Sequence, residues 1–199
     1  MNESADIAST IPAIILFSFW WAFLSTLELL SRQSGSKNGD GLNPNGFGGK
    51  IHAVAEADSP EFREVDPEFD PRAFLAGACS AYEAILRAYA RCEPEMLRRV
   101  LSAEVYQAFM EACDERAASG ETLELTFIGI DKAEITHIER IPDAVEITVL
   151  FRAQIVCAER SAAGVVIGGD PIAVTTTADL WTFSRAGAAE WLVVATDAA

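Results

Sequence analysis

Hydrophobic and polar residues follow three different patterns along the chain. Residues from Ile7 to Leu27 carry no charge and show no polar face. Residues 70–120 repeat apolar positions every three or four residues, which is the period of an amphipathic helix. From Thr122 onward, β-branched and apolar residues alternate with polar ones, as they do in strands. The chain is therefore predicted to hold an apolar segment, a helical region and a sheet region, in that order.

The uncharged run predicts a transmembrane helix over residues 7–30, after a short N-terminus at residues 1–6. About 21 uncharged residues make a helix about 31 Å long, which matches the hydrocarbon thickness of a bilayer. A secretory signal peptide begins with Lys or Arg, whereas Glu3 and Asp6 precede this run. A buried core helix is the alternative interpretation. The predicted membrane-spanning residues are Ile11, Ile15, Phe19, Trp20, Trp21 and Leu24.

The charges that flank the predicted span indicate its orientation. Arg32, Lys37 and Lys50 follow the span, and no positive side chain precedes it. Positive charge is enriched on the cytoplasmic side of membrane helices. The N-terminus is therefore expected outside, and the C-terminal domain in the cytoplasm.

The segment at residues 31–69 is predicted to be a linker. Its first part is rich in Gly and Asn, and its second part is acidic and interrupted by proline. Such compositions bury too little apolar surface to offset the entropy of ordering. Phe62, Val65 and Phe69 are the residues of this stretch that we expect along a groove of the domain.

Residues 70–199 have the length of one α+β domain. Asp70 is a predicted N-cap with Pro71 in the first helical turn, Pro94 begins a second helix, and Ser102 caps a third that ends at Gly120. Four strands are predicted at residues 123–141, 144–159, 165–185 and 190–198. Since short turns join them, we expect a curved antiparallel sheet with the helices packed on one side.

Charge and cysteine content exclude several classes of partner and site. The formal net charge of −15 repels phosphate backbones, so nucleic acid is not an expected partner. The four cysteines lack the spacing of metal ligands, and we predict no metal site, cofactor or disulfide framework. Free thiols agree with a cytoplasmic domain.

Three ordered motifs in the domain resemble a known family. The first is F-x-x-x-A-x-x-A-[YF]-x-x-I, the second is L-x-x-[LV]-L-[ST]-x-E-[VL]-[YF], and the third is D-x-W-T-F-x-R followed by W-x-[LV]. They correspond to Phe74, Ala78, Ala81, Tyr82 and Ile85; to Leu97, Val100, Leu101, Ser102, Glu104, Val105 and Tyr106; and to Asp179, Trp181, Thr182, Phe183, Arg185 and Trp191. Over residues 72–196 the chain resembles the C-terminal domain of the mitochondrial inner-membrane import translocase subunit of forty-four kilodaltons, which has bacterial relatives.

The resemblance implies a cone-shaped fold similar to nuclear transport factor two, with an apolar cavity between helices and sheet. It also implies a scaffold at a bacterial inner membrane, or on the matrix side of a mitochondrial one. Inner-membrane or chaperone proteins are the implied partners, in protein translocation or membrane-protein assembly. The import subunit recruits its chaperone partly through a long N-terminal segment, which a single predicted span and a tether replace here.

Three functional hypotheses follow: a membrane-tethered protein-binding scaffold, which we favour; a membrane-tethered domain that binds lipid or a small molecule; and an enzyme of the cone-shaped fold. The candidate pocket residues are Phe74, Tyr82, Ile85, Leu86, Tyr89, Trp181 and Phe183. Each of them also suits a plain hydrophobic core. We assign no catalytic residue, because His52 and His137 stand alone and Asp179 is expected to pair with an Arg or to lie at the sheet rim, an interior base being the alternative.

Overall fold

The computed structural model describes residues 69–199, which begin with a long helix. The predicted membrane span and all but the last residue of the predicted linker lie outside this range. Helix α1 runs from Pro71 to Ala90. The Asp70 carboxylate accepts the backbone N–H groups of Arg72 and Ala73 at 2.9 and 3.1 Å, and Pro71 occupies the first turn, so the predicted cap is confirmed.

Two shorter helices follow. Helix α2 runs from Pro94 to Val100, and α3 runs from Ala103 to Ser119. The Ser102 hydroxyl accepts the Val105 N–H at 3.3 Å, and Gly120 ends α3 in the left-handed region at φ 67°. The three predicted helices are thus confirmed. Within residues 69–199, no helix combines the length and apolar character that a membrane crossing requires.

Four strands form one antiparallel sheet in sequence order, as predicted. They are β1 at Thr122–Ile141, β2 at Ala144–Arg160, β3 at Val166–Arg185 and β4 at Leu192–Ala198. Register shifts interrupt the β1–β2, β2–β3 and β3–β4 pairings. Such bulges bend strands and increase their twist, which lets the sheet curve around the helices.

The hydrophobic core lies between helix α1 and the inner face of the sheet. Strand β2 supplies alternate side chains to it, and all of them are buried: Val145, Ile147, Val149, Phe151 and Ala153. The residues between them are partly or fully exposed, so the predicted alternation is confirmed. The predicted apolar face of α1 is also buried.

Strand β3 has an irregular first half. Cys157 of β2 pairs with Asp170, whereas Ile155 pairs with Thr175, so residues 171–174 bulge out opposite a single residue of β2. The Asp170 carboxylate accepts the N–H groups of Ile172 and Ala173 at 2.9 and 3.1 Å and holds this bulge. Strand β4 pairs only with residues 179–184 of β3.

The glycine that precedes this bulge is required by the close approach of two strands. Gly169 has φ 68°, and a Cβ atom built on it lies 2.3 Å from the carbonyl oxygen of Cys157. No other residue type fits there without moving the backbone. The close pairing of β2 and β3 just before the bulge therefore depends on glycine at this position.

Candidate functional site

An apolar groove lies beside the N-terminal half of α1, between this helix and the adjoining ends of β3 and β4. Its volume is about 440 Å³. Ala73, Gly77 and Ala81 line it at intervals of four residues, which places them on one face of the helix. Because these side chains are small, they leave space where larger ones would close the groove.

Aromatic rings from α1, β3 and the residue before β4 form an aromatic wall along the groove. The Phe74 ring lies 4.9 Å from the Trp191 ring and 5.6 Å from the Phe183 ring, measured between centroids. The Phe69 ring lies 5.5 Å from the Phe74 ring, so the first described residue reaches the same wall. These edge-on and tilted arrangements are favourable for aromatic pairs.

One positive charge lies among these rings. The Arg185 guanidinium is 4.7 Å from the centroid of the Trp191 ring, within the range of a cation–π interaction. Asp70 lines the same groove near the start of α1. The groove therefore offers a mostly apolar surface with two charged groups, which suits an apolar side chain next to a polar group.

A buried polar cluster lies farther along α1. The Tyr82 hydroxyl donates a hydrogen bond to the Asp179 carboxylate at 2.5 Å and lies 3.2 Å from the Thr177 hydroxyl. The Tyr82 ring is fully buried and stacks on Phe151 at 4.4 Å. The prediction that Asp179 pairs with an Arg or lies at the sheet rim was wrong, because its carboxylate points inward to a tyrosine of α1.

Burial governs the acid–base properties of this cluster. Burial raises the pKa of Asp179 above 3.8, although hydrogen bonds from Tyr82 and Thr177 act in the opposite direction. Burial also raises the pKa of Tyr82 well above 10.0, and the nearby Asp179 charge raises it further. The Tyr82 hydroxyl therefore keeps its proton and donates it in the hydrogen bond to Asp179.

The space beside this cluster is small. It measures about 50 Å³ and is lined mainly by apolar side chains of α1, α3 and the sheet. A space of this size has room for a few water molecules only. The cluster is thus suited to anchoring α1 to β3 rather than to holding an organic substrate.

The predicted pocket residues are divided between these two places. Phe74 and Phe183 line the groove, and Tyr82, Leu86 and Trp181 line the small space. Ile85 lies in the main core, and Tyr89 lies in a second cluster of buried residues. A binding role for these seven residues stays a prediction.

The sequence-based prediction missed other residues of the groove. They are Asp70, Ala73, Gly77, Ala78, Ala81, Val100, Arg185, Trp191 and Val193. The regular spacing of small residues on α1 was the available signal. Arg185 and Trp191 lie at the end of β3 and just before β4, where no local pattern predicts a groove.

Comparisons with known proteins bear on this fold. No curated protein sequence matches the chain. Among solved structures, the intermembrane-space region of the chloroplast protein ARC6 is similar with a TM-score of 0.46 and 11% identity, over 63% of this chain and 97% of that one. The sequence model of the Tim44-like domain matches residues 56–198. Since this match covers well over half of the chain, the protein belongs to the Tim44-like domain family, as its motifs predicted.

Proposed function

We propose that this protein is a membrane-anchored scaffold whose folded domain binds protein partners through the groove beside α1. The predicted span at residues 7–30 holds the chain in an inner membrane with the domain on the cytoplasmic side, or on the matrix side in a mitochondrion. The partners are inner-membrane or chaperone proteins that act in translocation or membrane-protein assembly. Membership in the Tim44-like domain family supports this class of function.

The groove itself is the observation that carries the proposal. Its volume of about 440 Å³ falls within the usual range of about 300–1,000 Å³ for binding sites. Aromatic side chains and arginine, which are present here as Phe74, Trp191 and Arg185, are also enriched where protein interfaces gain most of their binding energy. A large apolar side chain of a partner therefore fits between α1 and the aromatic wall.

The strongest test places a photocrosslinking amino acid at Gly77 of the full-length chain. A Cβ atom built at Gly77 meets no atom within 4 Å, and Gly77 is exposed, so a benzoylphenylalanine can be attached there from the open side of the groove. The matched control carries the same group at Ala76, which is exposed on α1 and does not line the groove. Both variants are expressed in cells, irradiated in membranes, solubilised in mild detergent and purified.

We expect inner-membrane or chaperone proteins to crosslink at position 77 and not at position 76. A pull-down that returns only the protein itself, or the same products from both positions, contradicts the proposal.

The alternative function is binding of a lipid or small apolar molecule in the same groove. The size and apolar lining of the groove also suit an acyl chain. Native mass spectrometry of the detergent-extracted protein distinguishes the two functions. A stoichiometric lipid that disappears in Gly77→Leu and remains in Ala76→Leu favours the alternative, whereas a protein without lipid favours the scaffold.

A further inference from the structure

A second cluster of reactive groups lies at the other end of α1, away from the groove. The Arg116 side chain of α3 is buried, with 8% of its surface exposed. Its Nη2 atom lies 2.7 Å from the carbonyl oxygen of Tyr89, 3.0 Å from the sulfur of Cys92 and 3.4 Å from the sulfur of Cys113. The guanidinium also lies 4.3 Å from the centroid of the Tyr89 ring.

The partners of this guanidinium are unusual. Buried charges in proteins are normally paired with an opposite charge. In residues 69–199, the ion pairs within 4 Å join other cations to acids, and the hydrogen-bond partners of the Arg116 guanidinium are one carbonyl oxygen and two thiols. The Glu159 carboxylate interacts with Arg116 only through its charge. Both sulfur atoms are therefore held beside one positive charge.

The two thiols differ in their access to solvent. Cys92 follows α1 with φ 50°, is only partly buried and lines an open surface depression together with Pro94 and Met96. Cys113 is 3% exposed, and its sulfur lies 3.4 Å from the same Arg116 Nη2 atom that contacts the Cys92 sulfur. A small reagent from solvent therefore reaches Cys92 before Cys113, and Cys113 is the thiol on the other side of the shared Arg116 contact.

We propose that Cys92 and Cys113 form a reversible disulfide when the protein meets hydrogen peroxide. The Cys92 thiolate attacks one peroxide oxygen, an S–O bond forms, the O–O bond breaks, and the hydroxide released takes up a proton as water. The Cys113 sulfur then attacks the sulfenic sulfur of Cys92, the S–S bond forms, the S–O bond breaks, and the second hydroxide leaves as water with the Cys113 proton. Two thiols are oxidised by two electrons, and one peroxide is reduced to two waters.

The other thiols support this order of events. Burial raises the pKa of Cys113 to about 12 and those of Cys79 and Cys157 to about 11. These three side chains are also 3–4% exposed. They are shielded from solvent, which leaves the partly exposed Cys92 as the first site of oxidation. The resulting bond ties the segment after α1 to α3.

The four cysteines lie on four different tryptic peptides, which makes the test direct. These peptides are residues 73–87, 92–98, 100–116 and 153–160. The full-length protein in detergent is treated with hydrogen peroxide, its remaining thiols are blocked, and the unreduced digest is analysed by mass spectrometry. We expect a linked pair of peptides 92–98 and 100–116 that disappears after dithiothreitol.

Two serine variants serve as test and matched control. Cys92→Ser removes the linked pair, whereas Cys79→Ser retains it, because Cys79 lies in the main core away from Arg116. A link between peptides 100–116 and 153–160, a link between two copies of peptide 92–98, or Cys92 converted only to its sulfinic acid overturns the proposal.

Discussion

Helix α1 contributes to two spaces of opposite character within a few turns. Along its N-terminal half, small side chains leave an open groove of about 440 Å³. At Tyr82, the helix instead packs against β3 and leaves a space of only about 50 Å³. There the tyrosine hydroxyl donates a hydrogen bond to Asp179. One element thus provides both an open surface and an anchor to the sheet. The difference shows that side-chain size along α1 decides where the helix leaves an open groove and where it packs into the core.

Truncating the anchor tests this comparison most severely. Tyr82→Ala removes a fully buried ring that lies 4.4 Å from the Phe151 ring and 4.6 Å from the Trp181 ring. We expect the free energy of unfolding to fall by about 3–5 kcal/mol, since large core truncations leave cavities. Denaturant unfolding of the full-length protein, followed by circular dichroism, measures the loss. Trp191→Ala in the half-buried groove wall is the comparison, and a larger loss there would reverse the ranking of the two regions.

Removing only the hydroxyl has the next largest effect. Tyr82→Phe keeps the ring but takes one hydrogen bond from the buried Asp179 carboxylate. The expected loss is about 1–3 kcal/mol, because the carboxylate then loses one of its two hydrogen-bond donors, Tyr82 and Thr177. The matched control is Tyr106→Phe, whose hydroxyl accepts a bond from Arg98 at the surface. Equal losses in the two variants, measured by the same unfolding experiment, would show that the Tyr82 hydrogen bond stabilises the fold no more than a surface hydrogen bond does.

The pH dependence of stability tests the charge at the anchor. Because the folded-state pKa of Asp179 is raised above 3.8, the folded protein holds this proton more tightly than the unfolded chain does. This carboxyl therefore contributes most stability below about pH 3.8, and the contribution is lost as the pH rises through the folded-state pKa.

Asp179→Asn mimics the neutral form at every pH. We expect its stability relative to the wild type to be highest at neutral pH, to decline as the pH falls through the raised folded-state pKa of Asp179, and to be smallest below 3.8. Unfolding midpoints of both proteins over a pH series measure the difference, and Asp143→Asn in the exposed β1–β2 turn is the control for a surface acid. An advantage of the variant that grows on acidification would mean that folding lowers this pKa.

The groove is expected to show the smallest effect on stability and a large effect on binding. Gly77→Leu fills open space and replaces glycine within a helix, so the free energy of unfolding should change by no more than about 1 kcal/mol. Chemical crosslinking in membranes should recover fewer partner proteins from Gly77→Leu than from Ala76→Leu. If both variants recovered the same partner proteins in the same amounts, the groove would not be part of the binding surface.

Local signals in the sequence were sufficient for the elements of the domain. Asp70 with Pro71, Ser102 and Gly120 mark helix ends through backbone hydrogen bonds and conformations that need only neighbouring residues. Alternation along β2 predicts its buried face, because a strand buried on one side has a period of two residues. The motifs of the family covered the same region.

The anchor and the groove depend on contacts that have no local signature. Tyr82 and Asp179 are separated by 97 residues, and nothing near either one indicates the other. The groove is the space that the small residues Ala73, Gly77 and Ala81 leave beside Trp191. Its presence depends on how α1 packs against the sheet, which no local pattern specifies. Sequence patterns predict large apolar side chains as pocket residues, but the opening is made by small ones.

The bulge in β3 has a consequence for association between copies of the protein. Since β4 pairs only with residues 179–184, the earlier part of β3 has one side without a strand neighbour among residues 69–199. An unpaired strand edge of this length invites extension of the sheet by another chain. Pro171 lacks an N–H group, and Asp170 occupies the N–H groups of Ile172 and Ala173. The edge of β3 therefore lacks a continuous row of free N–H donors, which disfavours pairing with a strand of another copy and the formation of fibrous aggregates.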